Sequence, residues 1–255
     1  MMLNYNIKGT GDAIVMLHGF MENSKIWNDY VNFLSETHQV ITIDLPGHGK
    51  SNNIRTTNTM EDFADDVIEF LHQLKISKAS FIGHSMGGYV ILALCEVYPQ
   101  IVNKVVLVNS TSLPDSEEKK EQRLKMIPTI QRNFSLFVKL SIPMLFSEAL
   151  KPQLQNEINQ LKEIALETSI EGIEAAINGM RIRPNRTSVL YDSNFPILII
   201  NGKDDKTIDV DLFATVIPEK DNIKVENLAC GHVAFCEQKD KVAQLLNNFI
   251  NSFDF

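Results

Sequence analysis

Short runs of consecutive apolar residues, each closed by Gly or Pro and followed by a helical stripe, constrain this chain more than any other feature. Asp12-Ala13-Ile14-Val15-Met16-Leu17-His18 is apolar on successive residues, the pattern of a strand buried on both faces. It stops at Gly19. Within residues 24–36, Ile26, Trp27, Tyr30, Val31, Phe33 and Leu34 fall on one helical face, which Ser24 is placed to cap. A second buried run at 39–44 ends before Pro46-Gly47, and residues 60–74 repeat the helical stripe with Phe63, Val67, Phe70, Leu71 and Leu74. Strands at 79–82 and 104–109 enclose a helix at 86–98. The rhythm returns late, with a strand at 196–201, a helix at 209–216, a short strand at 223–226 and a closing amphipathic helix at 239–253. Such alternation builds a mostly parallel, twisted sheet covered by helices on both faces, with right-handed crossovers.

Residues 112–187 break the rhythm. They hold Pro at 114, 128, 143, 152 and 184, only two glycines, and no strand-like run, so they read as several helices separated by prolines. Their 11 Lys and Arg nearly balance 10 Asp and Glu, whereas the remainder has 13 against 22. This divides the chain into a core domain, 1–111 with 188–255, and a helical cap inserted at 112–187 over the ligand edge of the sheet. No repeat or low-complexity linker interrupts either part.

Composition removes several function classes. A net charge of −8 without a basic block argues against nucleic-acid binding. No apolar run approaches the roughly 18 residues of a membrane span, so no membrane association is expected. The first eight residues lack the pattern of a signal peptide. Cys95, Cys230 and Cys236 form no paired framework, as in a reducing compartment, and a cytoplasmic location is the expectation.

The sharpest chemical signal is Gly83-His84-Ser85-Met86-Gly87-Gly88, a G-x-S-x-G sequence that follows a predicted strand and opens a predicted helix. A serine on that turn stands above the sheet, next to free N–H groups and the positive end of a helix dipole. A hydroxyl is a weak nucleophile near neutral pH and needs a base, itself oriented by an acid. His232 follows the last predicted strand, and Asp205 follows the strand before it in Gly202-Lys203-Asp204-Asp205-Lys206. Both sit where ligands meet a parallel sheet. Cys230 and Cys236 bracket His232 but cannot complete a four-ligand zinc site, so no metal is expected.

Taken together these motifs resemble the α/β-hydrolase fold family over nearly the whole chain. His18-Gly19-Phe20 is similar to the family's oxyanion loop, and Asp44-Leu45-Pro46-Gly47-His48-Gly49-Lys50-Ser51 to its D-x-x-G-x-G-x-S turn. Gly202-Lys203-Asp204-Asp205 resembles the acid loop, whose spacing selects Asp205 over Asp204, and Gly231-His232 resembles the base motif. Asp209 stands where the family often has proline. The resemblance implies a Ser85, Asp205, His232 triad, an oxyanion hole from the backbone N–H groups of Phe20 and Met86, and no cofactor. It makes Asp44 and His48 structural, and His18 and His84 loop-shaping.

Serine at the nucleophile position implies acyl chemistry rather than the alkyl-ester chemistry of relatives with a carboxylate there. The expected activity is hydrolysis of a carboxylic ester or thioester with a small to medium acyl group, by a monomer or homodimer acting on a small molecule. Two alternatives stand beside it. One is a carbon–carbon bond hydrolase or lyase acting on a carboxylate-bearing metabolite. The other is a slow-turnover ligand receptor that keeps the triad. Apolar residues of the insert, among them Met126, Phe137, Met144 and Leu145, are divided between its core and an acyl pocket. Of Arg123, Arg132, Arg181, Arg183 and Arg186, one suits a substrate carboxylate and the rest read as surface charges.

Overall fold

A computed structural model describes residues 3–252. The core runs β1 (Tyr5–Lys8), β2 (Ala13–Leu17), α1 (Asn28–Leu34), β3 (Gln39–Ile43), α2 (Met60–Gln73), β4 (Ala79–His84), α3 (Met86–Val97) and β5 (Val102–Val108). Helices α4 (Glu117–Arg132), α5 (Phe134–Ser141), α6 (Gln155–Leu166), α7 (Ile170–Ile182) and α8 (Thr187–Asp192) follow. The core then resumes with β6 (Ile197–Gly202), α9 (Val210–Ala214), β7 (Ile223–Leu228), α10 (Ala234–Glu237) and α11 (Lys239–Asn251). The strands form one sheet in the order β1-β3-β2-β4-β5-β6-β7. Every neighbouring pair is parallel except β1 with β3.

The continuous apolar runs follow from burial on both faces. Along β2, Val15 and Leu17 enter one core, where α2 and α3 supply Phe63, Val67, Tyr89 and Ile91. Ile14 and Met16 enter the other, with Trp27, Tyr30, Leu246 and Phe249. Phe81 and Ile82 divide the same way on β4. Helix α2 begins at a capping box in which the Thr59 hydroxyl accepts from Asp62 N–H and the Asp62 carboxylate accepts from Thr59 N–H.

Four local features differ from expectation. Strand β1 has no apolar run, because an edge strand with Tyr5, Asn6 and Lys8 exposed needs none. Asn23, not Ser24, caps the first turn, its side chain accepting from Lys25 N–H at 3.0 Å, and residues Ser24–Trp27 form a 3₁₀ turn before α1. Pro128 lies inside α4 rather than ending it. The helix is held on both sides of that exposed proline, by Arg123 on Asp115 before it and by buried Ile130 after it. The closing helix ends at Asn251, and the expected terminus at Phe253 lies outside the described residues.

Candidate active site

The chain places β3 on one side of β2 and then returns to place β4 on the other. The strand order therefore diverges between the carboxyl ends of β2 and β4, where parallel sheets open a crevice. Ser85 sits there, between β4 and α3, at φ 48° and ψ −112°. A side chain in that region is strained by about 1–3 kcal/mol unless its surroundings fix it. They do so here. Ser85 N–H donates to Val108 O at 3.0 Å, and Ser85 O accepts from Ser110 Oγ at 2.8 Å. The flanking glycines are required by close approach. A Cβ on Gly83 would lie 2.6 Å from the Gly87 carbonyl carbon, and one on Gly87 would strike the Leu17 carbonyl oxygen.

Three strand ends bring the predicted residues together. Ser85 Oγ lies 2.9 Å from His232 Nε2, and His232 Nδ1 lies 2.8 Å from Asp205 Oδ2. A carboxylate only accepts, so Nδ1 carries the proton and the Nε2 lone pair faces the serine hydroxyl. Burial pushes the Asp205 carboxyl up, but the adjacent imidazole and the N–H groups of Thr207 and Ile208 hold it below the ordinary carboxylate value. Asp204 is exposed and takes no part in this chain of contacts.

Several site residues carried no sequence signal. Asn109, at φ 46° just after β5, donates from Nδ2 to Asp205 Oδ2 at 3.1 Å and to Gly231 O at 3.0 Å, and accepts from Ala234 N–H. It ties the acid loop to the base loop. An Asn closing a central strand, in a conformation that Asn tolerates, is the trace available in the sequence. Glu237 likewise accepts from Gly231 N–H at 2.7 Å and from Ser147 N–H at 2.9 Å, joining the base loop to the insert.

A second histidine–carboxylate pair adjoins the first. Glu22 Oε2 accepts from Gly19 N–H at 2.6 Å and from His84 Nδ1 at 2.8 Å, and His84 Nε2 faces His232 O at 2.9 Å. Both nitrogens of His84 face acceptors, so the ring is held as imidazolium. Burial works against that charge, but Glu22 outweighs it and raises the histidine pKa, while His84 lowers that of Glu22. His18 differs: its Nε2 accepts from Leu45 N–H at 2.9 Å, which fixes a neutral ring whose pKa burial lowers. Burial pushes His48 down to about 3. Asp44 accepts from Asn4 Nδ2 and from the N–H groups of Ser24 and Lys50, so it braces its turn. Cys230 is buried and its thiol is pushed up to about 12.

The sequence profile of the α/β hydrolase fold family matches residues 12–141. The chain belongs to that family. A 2-hydroxy-6-oxononadienedioate/2-hydroxy-6-oxononatrienedioate hydrolase of a Pseudomonas species is 28% identical over 265 residues, covering 97% of this chain and 91% of the relative. A monoacylglycerol lipase of Bos taurus is 28% identical over 269 residues, covering 96% and 77%. Among solved structures, a thermophilic esterase from Thermogutta terrifontis superposes with a TM-score of 0.90 at 28% identity, covering 97% of this chain and 92% of that one.

In this α/β hydrolase the helices between β5 and β6 face the serine across a cavity of about 390 Å³. Phe20, Tyr89, Met126, Phe137 and Met180 contribute apolar wall, Lys119, Arg123 and Lys206 contribute positive charge, and the Glu22–His84 pair lies at its base. Leu145 O accepts from His232 N–H at 2.7 Å, so the insert touches the base loop directly. Of the five arginines read as surface charges or, for one of them, as a substrate-carboxylate partner, three are buried in ion pairs within the protein. Arg123 and Arg183 share Asp115, and Arg186 meets Glu61 and Glu96. Sequence periodicity does not register such long-range pairing, nor the Arg183 guanidinium lying 4.0 Å from the centre of the Tyr89 ring. Among the described residues no helix is long and apolar enough to cross a membrane.

Proposed function

We propose that this α/β hydrolase cleaves a carboxylic ester of a small to medium acyl group through an acyl-enzyme on Ser85. The observation that carries the reading is the continuous contact from Ser85 Oγ through both nitrogens of His232 to Asp205. Ser85 Oγ attacks the ester carbonyl as His232 Nε2 takes its proton. The backbone N–H groups of Met86 and Phe20 stabilise the tetrahedral oxyanion. Met86 opens α3, where the first N–H groups have no partner within the helix. Collapse breaks the ester C–O bond, and the leaving alkoxide takes the proton from His232. Water then attacks the acyl-enzyme by the same route, releasing the acid and restoring Ser85. Asp205 keeps its charge throughout and stabilises the imidazolium that forms twice per cycle. The helices at 112–187 serve as the cap over this chemistry, a reading supported by their apolar side chains lining the cavity that holds Ser85.

A second reading is carbon–carbon bond hydrolysis of a carboxylate-bearing metabolite, favoured by the similarity to oxononadienedioate hydrolases. The same serine attack would apply, with a stabilised carbanion leaving in place of an alkoxide. Steady-state hydrolysis of 4-nitrophenyl esters from acetyl to dodecanoyl, with Ser85→Ala as control, tests the first reading. Multiple turnover abolished in Ser85→Ala is expected, and the preferred chain length measures the pocket. A single burst without turnover, alongside a reactive Ser85, would favour the second reading.

A further inference from the structure

Helix α4 turns one face toward the cavity that holds Ser85, and Lys119, Gln122, Arg123 and Met126 line it at helical spacing. The charge on this face is unbalanced. Arg123 directs Nε and Nη2 to Asp115, at 2.5 and 3.4 Å, while Arg183 reaches the same carboxylate at 2.8 Å and stacks 4.0 Å from the centre of the Tyr89 ring. One carboxylate thus serves two guanidinium groups. Lys119 adds a third cation, and its ammonium donates to the neutral carbonyl of Thr207, two residues beyond Asp205. Among the described residues no carboxylate lies within ion-pair distance of Lys119, and nothing accepts from Arg123 Nη1. Loss of solvent and the neighbouring Arg123 push the lysine down to about 8. Lys119 and Arg123 thus line a largely apolar cavity, with Arg183 and Asp115 behind them, and the unengaged donors of the two cations form an arrangement that an incoming anion would complete.

We infer that Lys119, with the free edge of Arg123, is an anion subsite that receives a carboxylate of the substrate while Ser85 attacks a carbonyl elsewhere in the same molecule. The inference rests on the proposed hydrolysis at Ser85 and narrows its substrate class to amphiphilic esters. The carboxylate lies against α4, and the uncharged part lies along Met126, Phe137 and Met180. A planar carboxylate suits the remaining guanidinium donor of Arg123 and the two ammonium N–H groups not given to Thr207. Arg183 is a positioning residue here, because it holds Asp115 and, through it, the orientation of Arg123.

Two assays on the full chain test this. The first compares kcat/KM for 4-nitrophenyl hemiglutarate, 4-carboxyphenyl butanoate and neutral 4-nitrophenyl pentanoate, which place a carboxylate on the acyl side, the alcohol side or nowhere. We expect one of the charged esters to be preferred over the neutral one by about tenfold or more, the scale of a charge-assisted hydrogen bond. Lys119→Met should collapse that ratio toward one, and Lys119→Arg should restore much of it. No preference in the native protein, or an equal loss on all three esters in Lys119→Met, overturns the subsite. The second needs no turnover: calorimetric titration of free glutarate into Ser85→Ala, where stoichiometric binding should weaken about tenfold in Ser85→Ala/Lys119→Met. Absence of glutarate binding overturns the subsite, whereas binding without hydrolysis of any ester would retain it and strike the ester reading alone.

Discussion

The site contains two histidine–carboxylate pairs, His232 with Asp205 and His84 with Glu22, whose ring centroids lie 5.1 Å apart and whose second ring nitrogens face different partners. His232 meets Asp205 through one nitrogen and a hydroxyl through the other, so its second nitrogen is free to accept a proton. His84 meets Glu22 through one nitrogen and a backbone carbonyl through the other, so both nitrogens must donate and the ring is an imidazolium. The partner of the second nitrogen decides what each ring does. In the proposed mechanism the first serves as the base, whereas the second bridges the Gly19 loop to the His232 loop through Glu22.

Substitutions separate the two pairs by size of effect. Ser85→Ala should lower kcat by about 10⁴- to 10⁶-fold in the ester assay, with the folded structure kept, as loss of a nucleophile does. Asp205→Asn should cost about 10³- to 10⁴-fold, because an amide no longer fixes the tautomer of His232. The exposed Asp204→Asn should stay within about twofold. Equal damage at the two positions would break the assignment of the acid. Glu22→Gln should be milder, about 10- to 100-fold in kcat, since it loosens a loop without removing a reacting group.

The pairs differ in pH dependence as well. Glu22 is held below its ordinary value of 4.5, so its stabilising contribution is present above that pH and lost as pH falls through the lower folded value. His84 is raised above 6.5, so its contribution is complete below 6.5 and lost as pH rises through the folded value. The pair therefore stabilises most between about pH 4.5 and 6.5. Urea midpoints of the native chain and Glu22→Gln should differ more at pH 5.5 than at pH 9. A gap of the same width at both would mean that His84 carries no charge. The smallest expected effect belongs to the helix start: Asn23→Ala should destabilise by about 1 kcal/mol through loss of its cap, read from the same denaturation curves.

The core was far more legible in the sequence than the insert, for a physical reason. Strands β2 to β6 are buried on both faces, so burial writes itself as unbroken apolar runs, and Gly83 and Gly87 are fixed by close backbone approach. The residues Ser85, Asp205 and His232 were legible because each lies at a strand end with local spacing. Asn109, Glu22 and Glu237 were not, because their partners are distant in sequence or are backbone groups, and no periodicity marks such contacts. The insert was legible as helical and as distinct in charge. Its proline positions misled at Pro128, and the burial of Arg123, Arg183 and Arg186 depends on carboxylates that only the fold brings near.

The central claim is that Ser85 is the nucleophile and that His232 activates it. Reaction with a fluorophosphonate probe, followed by peptide mapping by mass spectrometry, tests both halves in one experiment. The native chain should carry a single adduct on the peptide containing Ser85, Ser85→Ala should carry none, and His232→Gln should label at least a hundredfold more slowly, given the dependence of a serine nucleophile on its base. An adduct on another serine, or labelling of His232→Gln at the native rate, would contradict it.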